Sequence, residues 1–557
     1  MPIDNSIWLQ ATVDESLYSK LIKEKSQIIS TVLAQSFCQY DDSLKFLNVK
    51  LSKCIRPSTI HNIIEASEHI RECVNSNGTI VLATDHDNDG IAGAAVLYET
   101  LTKLLKVQHV HLVMGNRLQL RGLNDDIIRR IIDIKPSLVI TADQGTNDVR
   151  SLQTLSDHDI KVIVTDHHAF TTQLPDDSNV VVVNSCKADV DLPIAGCTVA
   201  WLLMLQVLIT MQVKDRDFIV ELLDFVAVAT LSDRVPMNHW LNRLIVTEGL
   251  KVMNRKHKPC WFVLAKEVEF YSRCHEVFNS LMLPFSVLPL LSASDRMADP
   301  LMTFKLLTTT DVDQAAILLR KIKSYNRSRK RRQNSMYTLY KKQLYRSYIK
   351  ETECFFHSDN YVGVIGIIAA KMLSSCRLAC AFASSNDQLV GSLRSDHYSV
   401  IQVLQDIDKS HPSLLLRYGG HDGAGGCSIA NDQLDLFDKA LSKSVASLKV
   451  KIRPQLYFNL LEKDSDINEY CHALEALEPF GSSFNVPLLQ GTCRILHVKR
   501  STDSIFTGTV VTSNNYKVDV IAFSPNCHIA VGLYMKVLYY IEKAQARLFL
   551  KHIKPIP

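Results

Sequence analysis

The sequence has 14 cysteines but no Cys-x-x-Cys pair. Cys376 and Cys380 stand four positions apart, with no second pair and no histidine partner, so we expect no zinc site but reduced thiols, as in an intracellular protein. Long apolar runs are also missing, and a run such as 199–211 is too short to span a bilayer. The N-terminus has no charged flank of the kind that precedes the apolar run of a signal peptide. We therefore expect a cytoplasmic protein with no membrane partner.

Acidic residues are missing from 320–350, which contains twelve lysines and arginines and no proline or glycine. This composition predicts a long helix from about residue 311. Like charges at helical spacing repel one another, which favours a polyanion as the binding partner. Five tyrosines in this region either stack on unpaired bases or pack against the flanking domains: Tyr325, Tyr337, Tyr340, Tyr345 and Tyr348.

The chain of 557 residues is too long for one hydrophobic core, and its hydrophobic content of 46% argues against extensive disorder. Residues 1–75 have a helical pattern. Over 76–300, strand and helix patterns alternate, which is typical of βαβ units around a parallel sheet. We therefore expect three or four domains, the largest of which is an α/β domain.

A second α/β unit is predicted over 351–450, with a strand at 380–382. Its segments 391–395 and 419–426 are rich in glycine and small side chains, and we interpret them as loops whose backbone N–H groups can approach phosphate. From about 451 onward, apolar alternation and β-branched residues predict a small β-barrel.

Acidic side chains follow four apolar runs that we interpret as buried strands, namely 80–83, 138–140, 162–164 and 225–228. Residues just past the strand ends of a parallel sheet converge on one crevice. Carboxylates crowded there repel one another unless cations hold them, and an oxygen-rich set with one or two histidines suits Mn²⁺ or Mg²⁺. The pattern predicts a two-metal hydrolytic site.

The order of these motifs resembles that of the DHH phosphoesterase superfamily, in particular its RecJ branch of single-strand-specific exonucleases. The motif Asp-x-Asp-x-Asp-Gly matches 85–90, the Asp followed closely by Gly matches 143–145, and the name-giving Asp-His-His matches 166–168. The fourth acidic position matches Asp233. Residues 419–426 resemble the GGHxxAGG signature of the associated DHHA1 domain.

The resemblance covers nearly the whole chain and implies an α/β architecture with a parallel sheet. Five segments are expected: a helical N-terminal segment (1–75), a metal-binding DHH catalytic domain (76–310), a basic connecting helix (311–350), a smaller α/β DHHA1 domain (351–450) and a C-terminal OB-like barrel that binds nucleic acid (451–557).

The resemblance also implies roles for individual residues. The expected metal ligands are Asp85, Asp87, Asp143, His167 and Asp233, with Asp89 as a further candidate although three acids at alternate positions rarely all face one metal. Asp166 is expected to orient or supplement a ligand, because metal-bound histidine commonly needs an outer carboxylate. His168 and His421 are candidates to donate hydrogen bonds to the scissile phosphate. Phosphate-binding candidates are Ser392, Arg394, Gly419 and Gly420, together with Arg117 and Arg296.

Two positions depart from the family pattern. Where the family usually has Asn-Ala-Ala-Gly-Arg, this chain has Ser-Ala-Ser-Asp-Arg at 292–296, which places Asp295 beside Arg296. Asp295 and Asp299 are both possible partners of that arginine. Where the family commonly has Trp-His before Gly-Val-Ile-Gly, this chain has Asn360-Tyr361. Neither change touches the expected metal ligands, so hydrolysis is expected to persist while rate or end recognition differs.

We expect Mn²⁺- or Mg²⁺-dependent 5′→3′ hydrolysis of single-stranded DNA to mononucleotides, in repair and recombination, by a monomer. A single-strand-binding protein and a helicase are candidate partners. Two alternatives stay open. One is a phosphodiesterase for short RNA or cyclic dinucleotides, although such relatives usually lack a C-terminal barrel. The other is a catalytically silent DNA-binding scaffold, although every motif acid is present here.

Overall fold

The computed structural model describes residues 8–10, 13–37, 39–117, 122–171, 173, 177–189, 191–269, 278–297, 299–343, 350–358, 362–385, 388–420, 422–449, 455–457, 464–502, 505–512, 517–523, 529–542 and 547–555. The chain divides into two compact units. The first unit comprises Asp14–Asn326 and Glu475–Val486. The second unit comprises Met1–Val13, Arg327–Leu474 and Pro487–Pro557.

The described part of the N-terminal segment is mostly helical, as the sequence predicts. Its four α-helices are α1 (Glu15–Leu21), α2 (Gln27–Ser36), α3 (Tyr40–Leu47) and α4 (Ile63–Asn75), with short 3-10 helices at Leu51–Lys53 and Pro57–Thr59. Asp14 caps α1 by accepting a hydrogen bond from the Leu17 amide, and Ser26 caps α2 in the same way. Trp8–Gln10 (β1) is an exception to the helical prediction, since it is a strand paired in parallel with Gln455–Tyr457.

A five-stranded parallel sheet forms the centre of the first unit. Its strands are β2 (Ile80–Thr84), β3 (Val110–Met114), β4 (Leu138–Ala142), β5 (Lys161–Asp166) and β6 (Val180–Asn184). The spatial order is β3-β2-β4-β5-β6, so the direction of strand addition reverses between β2 and β4. In open α/β sheets the crevice at such a reversal, beyond the carboxyl ends of the strands, is where ligands bind.

The first unit also contains eleven further α-helices among its described residues. They are α5 (Asn88–Glu99), α6 (Asp125–Ile134), α7 (Val149–Ser156), α8 (Gly196–Thr210), α9 (Asp217–Glu221), α10 (Leu223–Ser232), α11 (Trp240–Arg255), α12 (Pro259–Glu269), α13 (Leu283–Ser286), α14 (Leu288–Asp295) and α15 (Leu301–Thr308), with a π-helical turn at Thr100–Leu104 and a 3-10 helix at Ser185–Lys187. On one face of the sheet, Ile131 of α6 and Leu152 of α7 belong to the same buried core as Val81 and Val139. Alternate residues of the strands thus build the two buried faces of the sheet.

The prediction of a strand at 225–228 is wrong, because these residues lie within helix α10. The run Phe225, Val226, Ala227 and Val228 is fully buried in the helix. A short apolar run cannot separate a buried strand from a helix that is buried on all sides. The acid that follows, Asp233, therefore caps the carboxyl end of a helix and not a strand.

The predicted long basic helix is confirmed as α16 (Val312–Gln343), which begins in the first unit and ends in the second. Of its tyrosines, Tyr340 is buried against the Phe355 ring, with centroids 5.5 Å apart, and Tyr337 stacks on Tyr340. The hydroxyl of Tyr325 donates to Asp299 Oδ2 at 2.8 Å. These contacts support the packing interpretation for the described tyrosines, while Tyr345 and Tyr348 lie outside the described residues.

The second unit contains a mixed sheet of five strands in the order β10-β11-β9-β8-β7. Its elements are β7 (Lys350–His357), α17 (Val362–Met372), β8 (Cys376–Ser385), β9 (Gln388–Ser395), α18 (Val400–Ser410), β10 (Arg417–Gly420), β11 (Ala424–Ala430) and α19 (Leu434–Ala446). The predicted strand at 380–382 is confirmed as part of β8.

The two glycine-rich segments of this sheet were predicted as loops, and that prediction is wrong. Residues 391–395 belong to strand β9, 419–420 to strand β10 and 424–426 to strand β11, with a bend at 422–423. Glycine serves close packing there, because a Cβ on Gly391 would lie 2.5 Å from the Phe382 ring. Gly420 needs its flexibility for another reason, since its φ of +145° is a conformation that other residues rarely adopt.

A closed barrel of five strands follows, as the sequence predicts. After β12 (Gln455–Tyr457) and α20 (Asp464–Leu477), its strands are β13 (Leu489–Thr502), β14 (Ile505–Thr512), β15 (Lys517–Phe523), β16 (Tyr534–Glu542) and β17 (Arg547–Pro555). The barrel order is β13-β14-β15-β17-β16, with β15 and β17 parallel, and its core includes Phe506, Val510 and Leu550. A five-stranded closed barrel of this kind is OB-like. Within the described ranges, no helix is both long and apolar enough to cross a membrane.

Candidate metal centre and phosphate-binding residues

The predicted acids meet at the reversal point of the parallel sheet. Asp85 directly follows β2, Asp143 directly follows β4, and His167 directly follows β5. Asp143 has a φ of +60°, a left-handed conformation that aspartate tolerates better than most residues. Gly196 at the start of α8 packs so closely that a Cβ there would lie 2.8 Å from the Cβ of Asp143. The local backbone therefore holds Asp143 in one orientation.

Three groups of side chains bring their ligand atoms within 4.8 Å of one another. These groups are Asp85, Asp87 and Asp143; Asp89, His167 and Asp233; and Asp143, His167 and His168. All six predicted metal ligands occur in them. Asp143 and His167 each occur in two groups. A carboxylate such as that of Asp143 can be shared by two neighbouring cations, whereas Nε2 of His167 can bind one of them.

His167 lies at the centre of the acidic cluster. Its Nε2 atom is 3.2 Å from Asp143 Oδ1 and 3.8 Å from Asp233 Oδ2. Burial opposes protonation of His167, but the charges of the surrounding carboxylates, led by Asp233, outweigh burial and raise its pKa. The same field that attracts a proton to this ring attracts a divalent cation to the cluster.

Asp143 is the clearest sign that the cluster fits a cation. Its Oδ1 atom is buried and accepts no hydrogen bond from any described residue. Burial, followed by the charges of Asp89 and Asp87, raises the pKa of Asp143 well above its ordinary value. A buried carboxylate beside like charges costs free energy unless a cation compensates it, so the donor set suits a hard divalent metal ion.

Asp89 differs from Asp143 because its carboxylate is already engaged. Oδ2 accepts a hydrogen bond from the Gly196 amide and Oδ1 one from the Cys197 amide, both at 2.8 Å. These amides belong to the first turn of α8, where a helix offers unpaired N–H groups and a positive dipole end. Burial, reinforced by the charge of Asp233, raises the pKa of Asp89 to about 7. Asp89 therefore holds α8 in place as well as facing His167.

Asp166 contacts the second histidine of the Asp-His-His motif. Its Oδ1 lies 2.7 Å from Nδ1 of His168, and its Oδ2 accepts a hydrogen bond from the Thr146 amide at 3.1 Å. Burial opposes ionisation of Asp166, but the two histidines outweigh it and hold the pKa of that carboxyl well below its usual range. Burial likewise opposes protonation of His168, but the hydrogen bond to Asp166 and the charges of Asp166 and Asp143 outweigh it and raise the pKa of His168 to about 9. The geometry suits Asp166 as the group that orients His168.

Two further buried residues lie beside the metal candidates, namely His86, which had no predicted role, and Asp295, which was a possible partner of Arg296. His86 Nδ1 lies 2.8 Å from Asp85 Oδ1, and Asp295 forms an ion pair with Arg117. Arg117, which was predicted to bind phosphate, is therefore already paired with a carboxylate. His86 lies between two motif acids in the sequence, and that position was the available signal for it.

The predicted phosphate-binding residues of the second unit lie on adjacent strands. Arg394 Nη1 donates to Ser392 Oγ at 3.0 Å, and both residues lie on β9. Ser392 pairs in register with Gly426, which in turn pairs with Gly419 on β10. A Cβ on Gly366 of α17 would lie 2.9 Å from Arg394 Nη2, so this glycine makes room for the guanidinium. Gly420 follows Gly419 on the same strand, and His421 lies outside the described residues.

Comparisons with known proteins agree with this geometry. Residues 79–230 match the family described as "DHH family, N-terminal domain". The chain is 25% identical to the single-stranded-DNA-specific exonuclease RecJ of Haemophilus influenzae over 547 residues, covering 92% of this chain and 94% of that protein. It is also 25% identical to the Escherichia coli protein of the same name, covering 84% of this chain and 85% of the relative.

A solved structure agrees over the full length of the chain. The crystal structure of RecJ from Thermus thermophilus in complex with Mn²⁺ matches with a TM-score of 0.80 and 20% identity, covering 100% of this chain and 80% of that one. At this identity the likeness shows the fold. Residues 79–230 thus match a DHH-family domain, and the chain is similar over most of its length to RecJ exonucleases.

Proposed function

We propose that this protein is a metal-dependent exonuclease that hydrolyses phosphodiester bonds of single-stranded DNA from the 5′ end and releases mononucleotides. The observation that carries the proposal is the convergence of five aspartates and His167 at the reversal point of the sheet. The exonuclease activity of the relatives supports the choice of substrate. The solved relatives bound to Mn²⁺ or Mg²⁺ support the choice of metal.

The proposed ligands are the six predicted metal ligands, all of which occur in the three groups described above. The Asp143 carboxylate would be the ligand shared by two cations, and His167 would bind one of them through Nε2. Bound Mn²⁺ or Mg²⁺ supplies two effects there, a lower pKa for a water molecule and compensation of the negative charge on the phosphate. The carboxylates hold the cations, and Asp89 in addition keeps α8 against the site.

His168 is proposed to donate a hydrogen bond to a phosphate oxygen. Its side chain is 40% exposed, whereas that of His167 is 8% exposed. Burial opposes protonation, but the hydrogen bond to Asp166 and the charges of Asp166 and Asp143 outweigh it and raise the pKa of His168 to about 9, which favours the charged ring. Asp166 also fixes the orientation of the ring. A charged donor forms a stronger hydrogen bond to a phosphate than a neutral one does.

The second unit is proposed to hold the terminal phosphate of the strand. Arg394 can grip a phosphate with two parallel hydrogen bonds, and Ser392, Gly419 and Gly420 leave room beside it. His421 is proposed to donate a hydrogen bond to the scissile phosphate. Arg117 and Arg296 are proposed as phosphate contacts of the first unit.

Single-strand binding is proposed to involve helix α16 and the barrel. The described part of the basic run, 320–343, is a continuous helix, and OB-like barrels often bind single strands. Lysine and arginine side chains of these elements are expected to displace counterions from DNA. DNA binding should therefore weaken as the salt concentration rises. A role in repair and recombination in the cytoplasm, as a monomer that acts with a single-strand-binding protein and a helicase, completes the proposal.

The decisive experiment is digestion of a single-stranded DNA oligonucleotide labelled separately at its two ends, with Mn²⁺, Mg²⁺ or chelator. The proposal requires early release of the 5′ label as a mononucleotide, only with metal, and an intact duplex control. Early release of the 3′ label contradicts the polarity. An intact strand together with hydrolysis of dinucleotides moves the assignment to a small-substrate phosphodiesterase, and no hydrolysis of either points to a scaffold.

A further inference from the structure

Asp295 is a completely buried carboxylate at the end of helix α14. Its Oδ2 atom accepts hydrogen bonds from Arg117 Nε at 2.8 Å and from Arg117 Nη2 at 2.5 Å. Arg117 follows strand β3, which is the neighbour of β2 in the parallel sheet. The ion pair therefore fastens the end of α14 to the edge of the sheet where the metal candidates lie.

The other oxygen of Asp295 faces a second residue. Oδ1 lies 3.7 Å from Nε2 of His86, and neither atom has a hydrogen-bond partner among the described residues. On its opposite side, the His86 ring places Nδ1 2.8 Å from Oδ1 of Asp85. Arg117, Asp295, His86 and Asp85 thus form a continuous row that ends at a proposed metal ligand.

The row is buried, so unpaired polar atoms within it cost free energy. The side chain of His86 is 4% exposed and that of Asp295 is fully buried. Buried polar groups without partners are costly, so the two facing atoms favour an arrangement in which the imidazole stays between the two carboxylates. Groups that contact a metal ligand from outside fix its orientation, and losing such contacts typically weakens metal binding about 10- to 100-fold.

The two contacts of Asp295 depend on its side chain. A glycine there would contact neither Arg117 nor His86 through a side chain. The acid of the row stands in a fully buried position where a carboxylate needs partners.

We propose that Asp295 is a positioning residue: anchored by Arg117, it holds His86 against Asp85 and so fixes this carboxylate for metal binding. The inference rests on the proposed function only in taking Asp85 as a metal ligand. It makes no use of DNA, so metal binding by itself can decide it.

The test is Mn²⁺ binding to the full-length protein, measured by calorimetry without DNA. The proteins compared are the wild type, Asp295→Ala, Asp295→Asn, His86→Ala and the double variant that combines Asp295→Ala with His86→Ala. Asp295→Ala and His86→Ala are each expected to weaken Mn²⁺ binding about 10-fold, and the double variant no further, because both break the same row. Asp295→Asn keeps a group that can contact His86 and is expected to recover most of the affinity. In digestion assays, Asp295→Ala should need about 10-fold more Mn²⁺ for half-maximal rate.

Asp299→Ala is the matched control, because Asp299 belongs to the same segment but contacts Tyr325 and Lys321. It should bind Mn²⁺ like the wild type. Wild-type affinity in Asp295→Ala overturns the proposal, and so do equal losses in the Ala and Asn variants, which would assign the effect to charge alone. If Asp295→Ala does not fold, unchanged affinity in His86→Ala overturns it instead. A wild type that binds Mn²⁺ but degrades no strand contradicts the proposed function and leaves this inference standing.

Discussion

Asp89 and Asp143 belong to one acidic cluster but differ in their hydrogen bonding. The carboxylate of Asp89 is satisfied by two backbone amides of α8, whereas Asp143 Oδ1 accepts no hydrogen bond from the described residues. A hydrogen-bonded buried carboxylate contributes to folding, while one that lacks donors is costly until a cation arrives. The two residues should therefore respond differently to substitution.

For Asp143, the prediction concerns activity. Asp143→Asn keeps the shape and the left-handed backbone but removes the charge shared by two candidate cation sites. Cleavage of a labelled single strand should fall more than roughly 100-fold, beyond the effect of losing an outer contact, while DNA binding in a filter assay persists. Asp133→Asn, an exposed acid on α6, serves as the control and should cleave normally. Retained cleavage in Asp143→Asn would remove Asp143 from the metal set.

For Asp89, the prediction concerns stability. Asp89→Ala leaves the Gly196 and Cys197 amides without acceptors at the start of α8, which should lower the free energy of unfolding by about 3 kcal/mol. Urea unfolding with chelator present measures this without a metal contribution. Asp143→Asn should lose less than about 1 kcal/mol in the same experiment, because no hydrogen bond to the described residues is broken. Equal losses would show that Asp89 has no special role in holding α8.

At the scale of elements, the sequence predicts best where local pattern and environment agree. Strands β2, β4 and β5 were predicted because each is a short apolar run flanked by turn-forming residues. Helix α10 was not, because burial on all sides erases the periodicity that separates helix from strand. The acid after it was still identified, because Asp233 follows the run in either case.

Contacts between distant segments account for most of what the sequence could not predict at the site. The ligand residues could be named from their motifs, but the row through His86 depends on α14 reaching the sheet more than 200 residues later. No local pattern specifies such a contact. The same holds for the amides of Gly196 and Cys197, which meet Asp89 only after α8 has packed against α5.

Helix α11 makes a long-range contact through Arg243, which binds the carboxyl end of helix α20. Arg243 is buried, donates to the carbonyl oxygens of Leu477 at 2.6 Å and Ala476 at 3.0 Å, and lies over the Phe46 ring. A cation at the carboxyl end of α20 satisfies carbonyls that the helix leaves unpaired. Arg243→Met should therefore lower the free energy of unfolding by about 3 kcal/mol in a denaturant titration.

A second arginine on α11 provides the control. Arg255 forms an ion pair with Glu221 at 2.8 Å, and both side chains are more than one third exposed. Exposed pairs contribute about 0–1 kcal/mol, so Arg255→Met should change stability little. Similar losses in the two variants would mean that the contact to α20 is not what makes Arg243 matter.

At the scale of the whole molecule, the order of domains could be predicted, but their membership could not. The sequence suggested a barrel segment from 451, whereas Glu475–Val486 belongs to the first unit and the barrel strands begin at Leu489. The hydrophobic pattern of a short segment does not reveal which core it joins. The five predicted segments therefore stay a prediction, and the two compact units are what the structure shows.

The assignment of Glu475–Val486 to the first unit determines where the chain should be truncated. Removing Pro487–Pro557 deletes the barrel strands but keeps Glu475–Val486, which a cut at 451 would also remove. The truncated protein should bind a long single strand more weakly, with a shallower dependence on salt, because fewer phosphates are contacted. Dinucleotide hydrolysis should change less than long-strand binding. Equal loss of both activities would indicate that the barrel supports the fold and not the DNA.

The assignment of Glu475–Val486 to the first unit also affects how the chain folds during synthesis. A ribosome releases Asp14–Asn326 long before it releases this segment. At roughly 5–20 residues per second, the delay is on the order of ten seconds. During that interval Arg243 lacks the carbonyls of Ala476 and Leu477, so the first unit cannot complete its fold until that segment has been synthesised.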